Sequence, residues 1–310
     1  LVWGNFNFIE KFCLFLVCSF TLITIFNLIA LQSKPEWAVT MKEFINGMSF
    51  GLPDVSDAVK SSGSSPLGTA LATFGIIGVG ASELIAYPYW CLEKGYGKYI
   101  GPNEDNESWI GRAKGWMKVM QFDAWLSMIV YTFCTIAFYL LGAAILGRTG
   151  MIPEGTEMIR TLSVMYEPVF GKSAQTIFLI GAFAVLFSTF FVAIAAQSRL
   201  FVDVTSLLGF HNLKDEATRQ KRVKICNVIF AGISLLFFIF VKKPVLLVLI
   251  SGVMQALMLP LLGASVLYFR YKKTDKRLVS GKIWDLMLWL SFACFTIIGI
   301  YLVLSKLKII

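Results

Sequence analysis

One carboxylate in this sequence stands where a carboxylate is costly. Residues 67–97 read LGTALATFGIIGVGASELIAYPYWCLEKGYG, and Glu83 falls in the middle of an apolar run long enough to cross a bilayer. An acid at that depth costs on the order of 2.5–3.5 kcal/mol even on a lenient insertion scale. The residues around it are small or helix-breaking: Gly75, Gly78, Gly80, Ala81 and Ser82 precede it, and Pro88 follows. Glycine admits non-helical dihedrals, and proline removes a donor and clashes with the preceding turn. Hydrocarbon cannot hydrogen-bond the freed backbone, so such breaks occur inside protein or beside a wet cavity. Carbonyls around Val79 and Gly80, the Ser82 hydroxyl and the Glu83 carboxylate then make an oxygen donor set suited to a cation.

Each feature also has a plainer reading. Gly78 and Ser82 form a small-xxx-small pair that would let helices pack closely. Glu83 could instead relay protons or neutralise a buried base. Ser251 and Gln255 lie four residues apart on another apolar segment, with Pro260 loosening the helix beyond them. They could complete a polar site from a second helix or simply hydrogen-bond between helices. Asp123, at the start of a further segment, suits an N-cap. Gln197 and Arg199 end a segment and suit snorkelling to headgroups. His211, the sole histidine, reads as a solvated loop residue, which argues against a histidine-based triad. The six cysteines form no Cys-x-x-Cys pattern, so no zinc site or disulfide framework is expected. An enzyme is not expected.

These residues need a membrane scaffold to hold them. The chain has 310 residues, 57% hydrophobic, with a mean hydropathy of +0.72, which places it among polytopic α-helical membrane proteins. Seven apolar segments fall at 12–31, 67–90, 125–146, 177–196, 225–241, 245–268 and 283–304. Of the 28 Lys and Arg residues, 18 fall on one side of this threading. That side should be cytoplasmic. It carries the 94–120 loop, whereas 32–66 is an extracytoplasmic loop; the N-terminus is then inside and the C-terminus outside. This asymmetry accounts for the net charge of +9 without nucleic acid, and the lipid bilayer is the expected partner. Within 32–66, Met41, Phe44, Ile45 and Met48 recur at helical spacing, as in a short amphipathic helix. Asn106-Glu107-Ser108 matches a glycosylation sequon that should go unused on the inner side. The chain begins without Met or signal-peptide grammar, as a fragment would.

More specific motifs follow in order. Glu10-Lys11 enters the first segment and Pro35-Glu36-Trp37-Ala38 follows it. Gly75-Ile76-Ile77-Gly78 leads into the broken segment, Phe178-Leu179-Ile180-Gly181 lies in the fourth, and Ser251 with Leu259-Pro260 in the sixth. This order resembles helices five to eleven of the Nramp family of divalent-metal transporters. The resemblance implies an inverted-repeat (LeuT-like) transporter fold of which 1–310 is one transmembrane domain, N-terminally incomplete, the missing helices being its partner. It further implies secondary transport of a divalent cation by alternating access, with H⁺ a candidate coupling ion. A bacterial inner membrane is the expected location.

Three departures stand out. The family's Asp-Pro-Gly break is absent. Its Met-Pro-His in the sixth helix is replaced by Ser82-Glu83-Leu84. Alignment on Leu259-Pro260 places its tenth-helix glutamine at Gly252, with Gln255 one turn away. The expected metal-site set is therefore Glu83, Ser82, Val79, Gly80, Gln255 and Ser251. Exchanging a soft thioether for a hard oxygen favours Mg²⁺ or Mn²⁺, with Fe²⁺ the family's other candidate. Rival readings are an amino-acid or other small-solute transporter of the same fold, and a non-transporting membrane subunit.

Overall fold

The computed structural model describes residues 6–49, 70–71, 73–77, 79–153, 157–210, 212, 215–279 and 281–306. Among these residues every regular element is helical. In chain order they are α1 (Phe6–Leu31), α2 (Met41–Gly47), α3 (Ala81–Glu93), α4 (Tyr96–Ile100), α5 (Glu107–Leu141), α6 (Met158–Ser163), α7 (Glu167–Phe170), α8 (Ala174–Leu207), α9 (Glu216–Phe240), α10 (Pro244–Lys272) and α11 (Lys282–Lys306). A π-helical turn, Gly142–Gly147, continues α5.

Six helical stretches of the described residues are long and apolar enough to cross a membrane: Lys11–Leu31, Glu107–Gly147, Met158–Leu207, Glu216–Phe240, Pro244–Lys272 and Lys282–Leu304. They correspond to six of the seven expected apolar segments. The remaining one, 67–90, is not a continuous helix. Large apolar side chains point outward along the long helices: Phe183 is 70% exposed, Phe238 74% and Ile283 75%. Water would penalise that surface heavily, whereas hydrocarbon does not.

The chain divides into two compact units. The first comprises Leu1–Gly51 and Thr132–Pro244. Its core joins Phe20 and Leu31 of α1 to Leu141, Ile145, Met165, Tyr166 and Phe178. Gly181 makes the α1–α8 approach possible, because a Cβ there would lie 1.9 Å from the Phe20 ring. Two buried side chains of α1 bond across to the Met165–Tyr166 turn: the Thr24 and Tyr166 hydroxyls are 2.7 Å apart, and Asn27 Nδ2 donates to Met165 O at 3.0 Å. Arg148 fastens the segment after α1, donating to Glu36 O, Ala38 O and Glu43 Oε1. The expected amphipathic helix is α2, opened by a capping box between Thr40 and Glu43. Asp203 of α8 receives a bidentate pair from Arg219 of α9, both bonds at 2.9 Å.

The second unit comprises Leu52–Tyr131 and Val245–Ile310. Here α10 and α11 pack through glycines, with Gly263 beneath Phe292 and Gly299 beneath Pro260. Arg270 and Asp285 close the α10–α11 pair at 2.7 Å.

Three sequence readings need correction. The 94–120 stretch is largely helical: α4 occupies part of it, and α5 already begins at Glu107, with Asn106 Oδ1 accepting from Trp109 N at 2.8 Å. Asp123 therefore lies well inside α5 and caps nothing. The fourth segment does not end at Ala196, because α8 continues to Leu207 and Arg199 donates to Ala195 O within it. His211 lies outside the described residues.

Candidate functional site

The site is built where the second apolar segment fails as a helix. Residues 70, 71, 73 and 74 are helical, and the Ile76 and Ile77 amides both donate back to Thr73 O, at 3.0 and 2.8 Å. The next helix, α3, begins at Ala81 after Gly80, whose φ of −72° and ψ of 167° are those of an N-cap. Gly75 pins this break to α10. A Cβ there would lie 2.0 Å from Gly252 O and 2.7 Å from Ala256 N, so only glycine permits the contact. Phe74 and Phe295, with ring centres 6.2 Å apart, bring α11 against the same stretch.

Gly80 has no side chain with which to cap α3, and Gln255 of α10 does the work instead. Its Oε1 accepts from Ser82 N at 3.3 Å and from Ser82 Oγ at 3.0 Å. Its Nε2 donates to Ser251 Oγ at 3.3 Å. Ser82 Oγ also lies 3.1 Å from Glu83 Oε2. A Cβ on Gly80 would sit 2.2 Å from Gln255 Oε1 and 2.4 Å from Glu83 Oε2. Both oxygens therefore pack over the Gly80 Cα, where any other residue would push them apart. Beyond Glu83, Pro88 lies inside α3 and deprives the Leu84 carbonyl of its intrahelical donor.

Four of the expected residues are thus drawn together: Ser82, Glu83, Gln255 and Ser251, with Gly80 as the floor beneath them. Val79 is different. Its side chain is apolar and 41% exposed, so only its carbonyl could serve a cation. The position aligned with the family's tenth-helix glutamine, Gly252, contributes a backbone contact with Gly75, while Gln255, a turn further on, reaches the break. No cluster of three or more His, Cys, Asp or Glu occurs among the described residues. The donor set is one carboxylate with neutral oxygens, which is hard-ion chemistry. Glu83 also lies in the first turn of α3, where a negative charge is favoured by the helix dipole.

One polar pair escaped the sequence reading. Tyr96 Oη of α4 donates to Asp123 Oδ2 of α5 at 2.9 Å. The signal that could have found it is the start of α5, since Asn106 followed by Glu107 is a helix-opening pattern that moves Asp123 into the helix interior.

Among the described residues every regular element is a helix, and several are apolar and long enough to cross a membrane, which defines a polytopic membrane protein by class. Its family is shown by a family model, Natural resistance-associated macrophage protein-like (Nramp), which matches residues 1–305. The chain belongs to the Nramp family. Among curated proteins no relative matches it. It is an integral, multi-pass membrane protein of a metal-ion transporter family, whose members are transporters and not enzymes.

Proposed function

We propose that this protein moves a divalent metal cation across the membrane by alternating access on an inverted-repeat fold, with Glu83, Ser82, Gln255 and Ser251 contributing side-chain oxygens and Val79 and Gly80 backbone carbonyls. The observation that carries this reading is the convergence of Glu83 Oε2, Ser82 Oγ and Gln255 Oε1 over Gly80 at a helix break. A cation entering there would replace the Ser82 bonds with ion–oxygen contacts, at about 2.0–2.1 Å for Mg²⁺. Without a thioether the set prefers Mg²⁺ and Mn²⁺ to softer ions. The break's N-terminal dipole would suit a carboxylate solute, but Glu83 in the first turn already supplies the negative charge, which supports the cation over the amino-acid reading. The basic flanks 94–118, 199–224 and 270–282 lie on the cytoplasmic side in this reading, with the C-terminus on the opposite side.

The test is uptake of Mn²⁺ into proteoliposomes holding the full-length protein, with Mg²⁺ and Fe²⁺ as competitors. Saturable uptake, inhibited by Mg²⁺ and weakened by Glu83→Gln, is expected. Absence of saturable uptake would defeat the transport reading, and competition by amino acids instead of Mg²⁺ would favour the solute alternative.

A further inference from the structure

The turn between α10 and α11 carries more positive charge than its own acids balance. Residues 270–285 hold Arg270, Lys272, Lys273, Lys276, Arg277 and Lys282 against Asp275 and Asp285. Both acids are committed to the arginines. Arg270 Nε donates to Asp285 Oδ1 at 2.7 Å, and Arg277 grips Asp275 with Nε 3.1 Å from Oδ1 and Nη2 2.6 Å from Oδ2. Arg277 also donates to Asp105 and lies over the Trp109 ring, 5.6 Å from its centre, so the acid nearest from the α4–α5 loop is occupied too. Lys272, Lys273, Lys276 and Lys282 are exposed, and none of them joins an ion pair among the described residues. Aromatic side chains mark the same end of the hairpin. Trp289 Nε1 donates to Tyr271 Oη at 3.1 Å across the two helices, and Tyr271, Trp284 and Trp289 are each about half exposed. Exposed Leu286, Met287 and Leu290 continue the α11 surface into apolar territory. Tyrosine and tryptophan, apolar with a polar tip, settle where headgroups meet hydrocarbon. Lys272 directly follows Tyr271 and Lys282 lies two residues before Trp284, which brings the lysines to the level of the phosphates.

We propose that the end of the α10–α11 hairpin is a docking surface for anionic phospholipid headgroups, held by Lys272, Lys273, Lys276 and Lys282. Charge identifies the occupant. Lysines without acidic partners, set beside a tyrosine–tryptophan pair at the bilayer interface, face phosphates before any other anion. A zwitterionic headgroup brings its own cation, whereas a headgroup of net negative charge does not. The division of labour between the basic residues fits this surface. The arginines, with planar forks, are fixed in pairs that shape the turn, and the lysines, compact charges on flexible stems, are left to follow mobile headgroups. Clusters of four or more such residues beside a membrane helix select anionic lipid in this way. A symmetric contact with a second copy of the chain would set the same lysines against one another, which charge repulsion opposes. The inference concerns the lipid and not the cargo, so it holds whichever solute the helix break binds.

The test reads lipid at the turn itself. Val279, exposed between α10 and α11, is replaced as Val279→Cys in the full-length protein freed of native cysteines, labelled with a bimane fluorophore, and reconstituted in phosphatidylcholine bilayers. Quenching is then followed as phosphatidylglycerol or phosphatidylcholine bearing a nitroxide near its headgroup is added. The phosphatidylglycerol probe should reach half-quenching at a mole fraction about fivefold lower or less. Salt at about 1 M should shrink that preference. Lys272→Gln, Lys273→Gln, Lys276→Gln and Lys282→Gln together should bring the two lipids within about twofold of each other, because the arginine pairs that shape the turn stay in place. The matching four Lys→Arg exchanges keep the charge and should keep the preference. Lys242→Gln with Lys243→Gln, just before the opposite end of α10, should leave it unchanged. Equal quenching by the two lipids before any lysine is changed overturns the proposal. A preference that survives the four glutamines, is lost with the four arginines, or falls as far in the Lys242 and Lys243 pair overturns it too. Quenching that follows protein density and not the phosphatidylglycerol fraction would place a second copy on this surface and likewise defeat it.

Discussion

Gln255 and Ser82 are joined across two helices by two hydrogen bonds to one oxygen: Gln255 Oε1 accepts from the Ser82 amide at 3.3 Å and from its hydroxyl at 3.0 Å. A cap normally comes from the residue before the helix, but Gly80 has nothing to offer. The start of α3 is therefore fixed by α10, and any movement of the break must carry Gln255 with it or give up both bonds.

Replacing Gln255 tests that linkage. Gln255→Leu should cost about 1 kcal/mol through the lost cap and should also weaken divalent-cation binding. Gln255→Glu keeps an acceptor and sets a second carboxylate beside Glu83. It should tighten Mn²⁺ binding at neutral pH and make its loss on acidification steeper, since two close acids resist joint ionisation. Equal binding isotherms for wild type and both variants would remove Gln255 from the site.

The glycines offer a steric test. Gly80→Ala places a Cβ 2.2 Å from Gln255 Oε1 and 2.4 Å from Glu83 Oε2, so it should spread the oxygens and reduce metal affinity at little cost to the fold. Gly75→Ala meets backbone atoms of Gly252 and Ala256, which cannot swing away. Overpacking of that kind costs roughly 1–3 kcal/mol, so a lower melting temperature is expected. Thermal unfolding and metal titration should therefore separate the two variants.

On the Arg148 side of the molecule, acid should loosen α2. Hydrogen bonds from the Thr40 backbone and hydroxyl, then from Arg148, hold the Glu43 carboxyl below its usual range. A depressed folded-state value means that this contribution is whole above the unfolded-state value and lost as pH falls through the folded one. Amide exchange of residues 40–48 should accelerate below about pH 4. In Glu43→Gln the exchange should be faster at neutral pH and nearly independent of acid.

Sidedness can be read by chemistry. With native cysteines removed, Ser49→Cys should react with an impermeant reagent on intact cells and Lys273→Cys should not. Labelling of position 273 alone would invert the proposed orientation.

The sequence was most legible where physics is one-dimensional. Runs of apolar residues gave the long helices, and the Gly75–Pro88 interval gave the break, because a glycine run followed by an acid and a proline does not suit a plain apolar span. The spacing of Met41, Phe44, Ile45 and Met48 likewise gave α2. What escaped was set by contacts distant in sequence. Gln255 could not be placed on Ser82 from either segment alone, and the Gly75–Gly252 approach depends on two backbones meeting. Asp123 was misread for a local reason. The polar stretch after Asn106 looked like loop, so its helical turns were not counted and the acid was assigned to a helix start.

Glu83 remains the residue on which the chemistry turns, and two substitutions separate its roles. Glu83→Gln keeps the size and removes the charge. If the carboxylate ligates the ion, Mn²⁺ affinity should fall about ten- to hundredfold, or about 1.4–2.8 kcal/mol. If it only hands on protons, binding should survive while the pH dependence of uptake disappears. If it serves only the α3 dipole, the variant should lose a few tenths of a kcal/mol of stability to about 1 kcal/mol, with affinity unchanged. Glu83→Met puts a thioether where the break now offers a hard oxygen, and should move preference from Mg²⁺ toward Mn²⁺, Fe²⁺ and Cd²⁺. Competition isotherms with these four ions, run on both variants and across pH, distinguish the cases. Unchanged affinity, selectivity and pH profile in both would take Glu83 out of the site and leave the helix dipole as its only role.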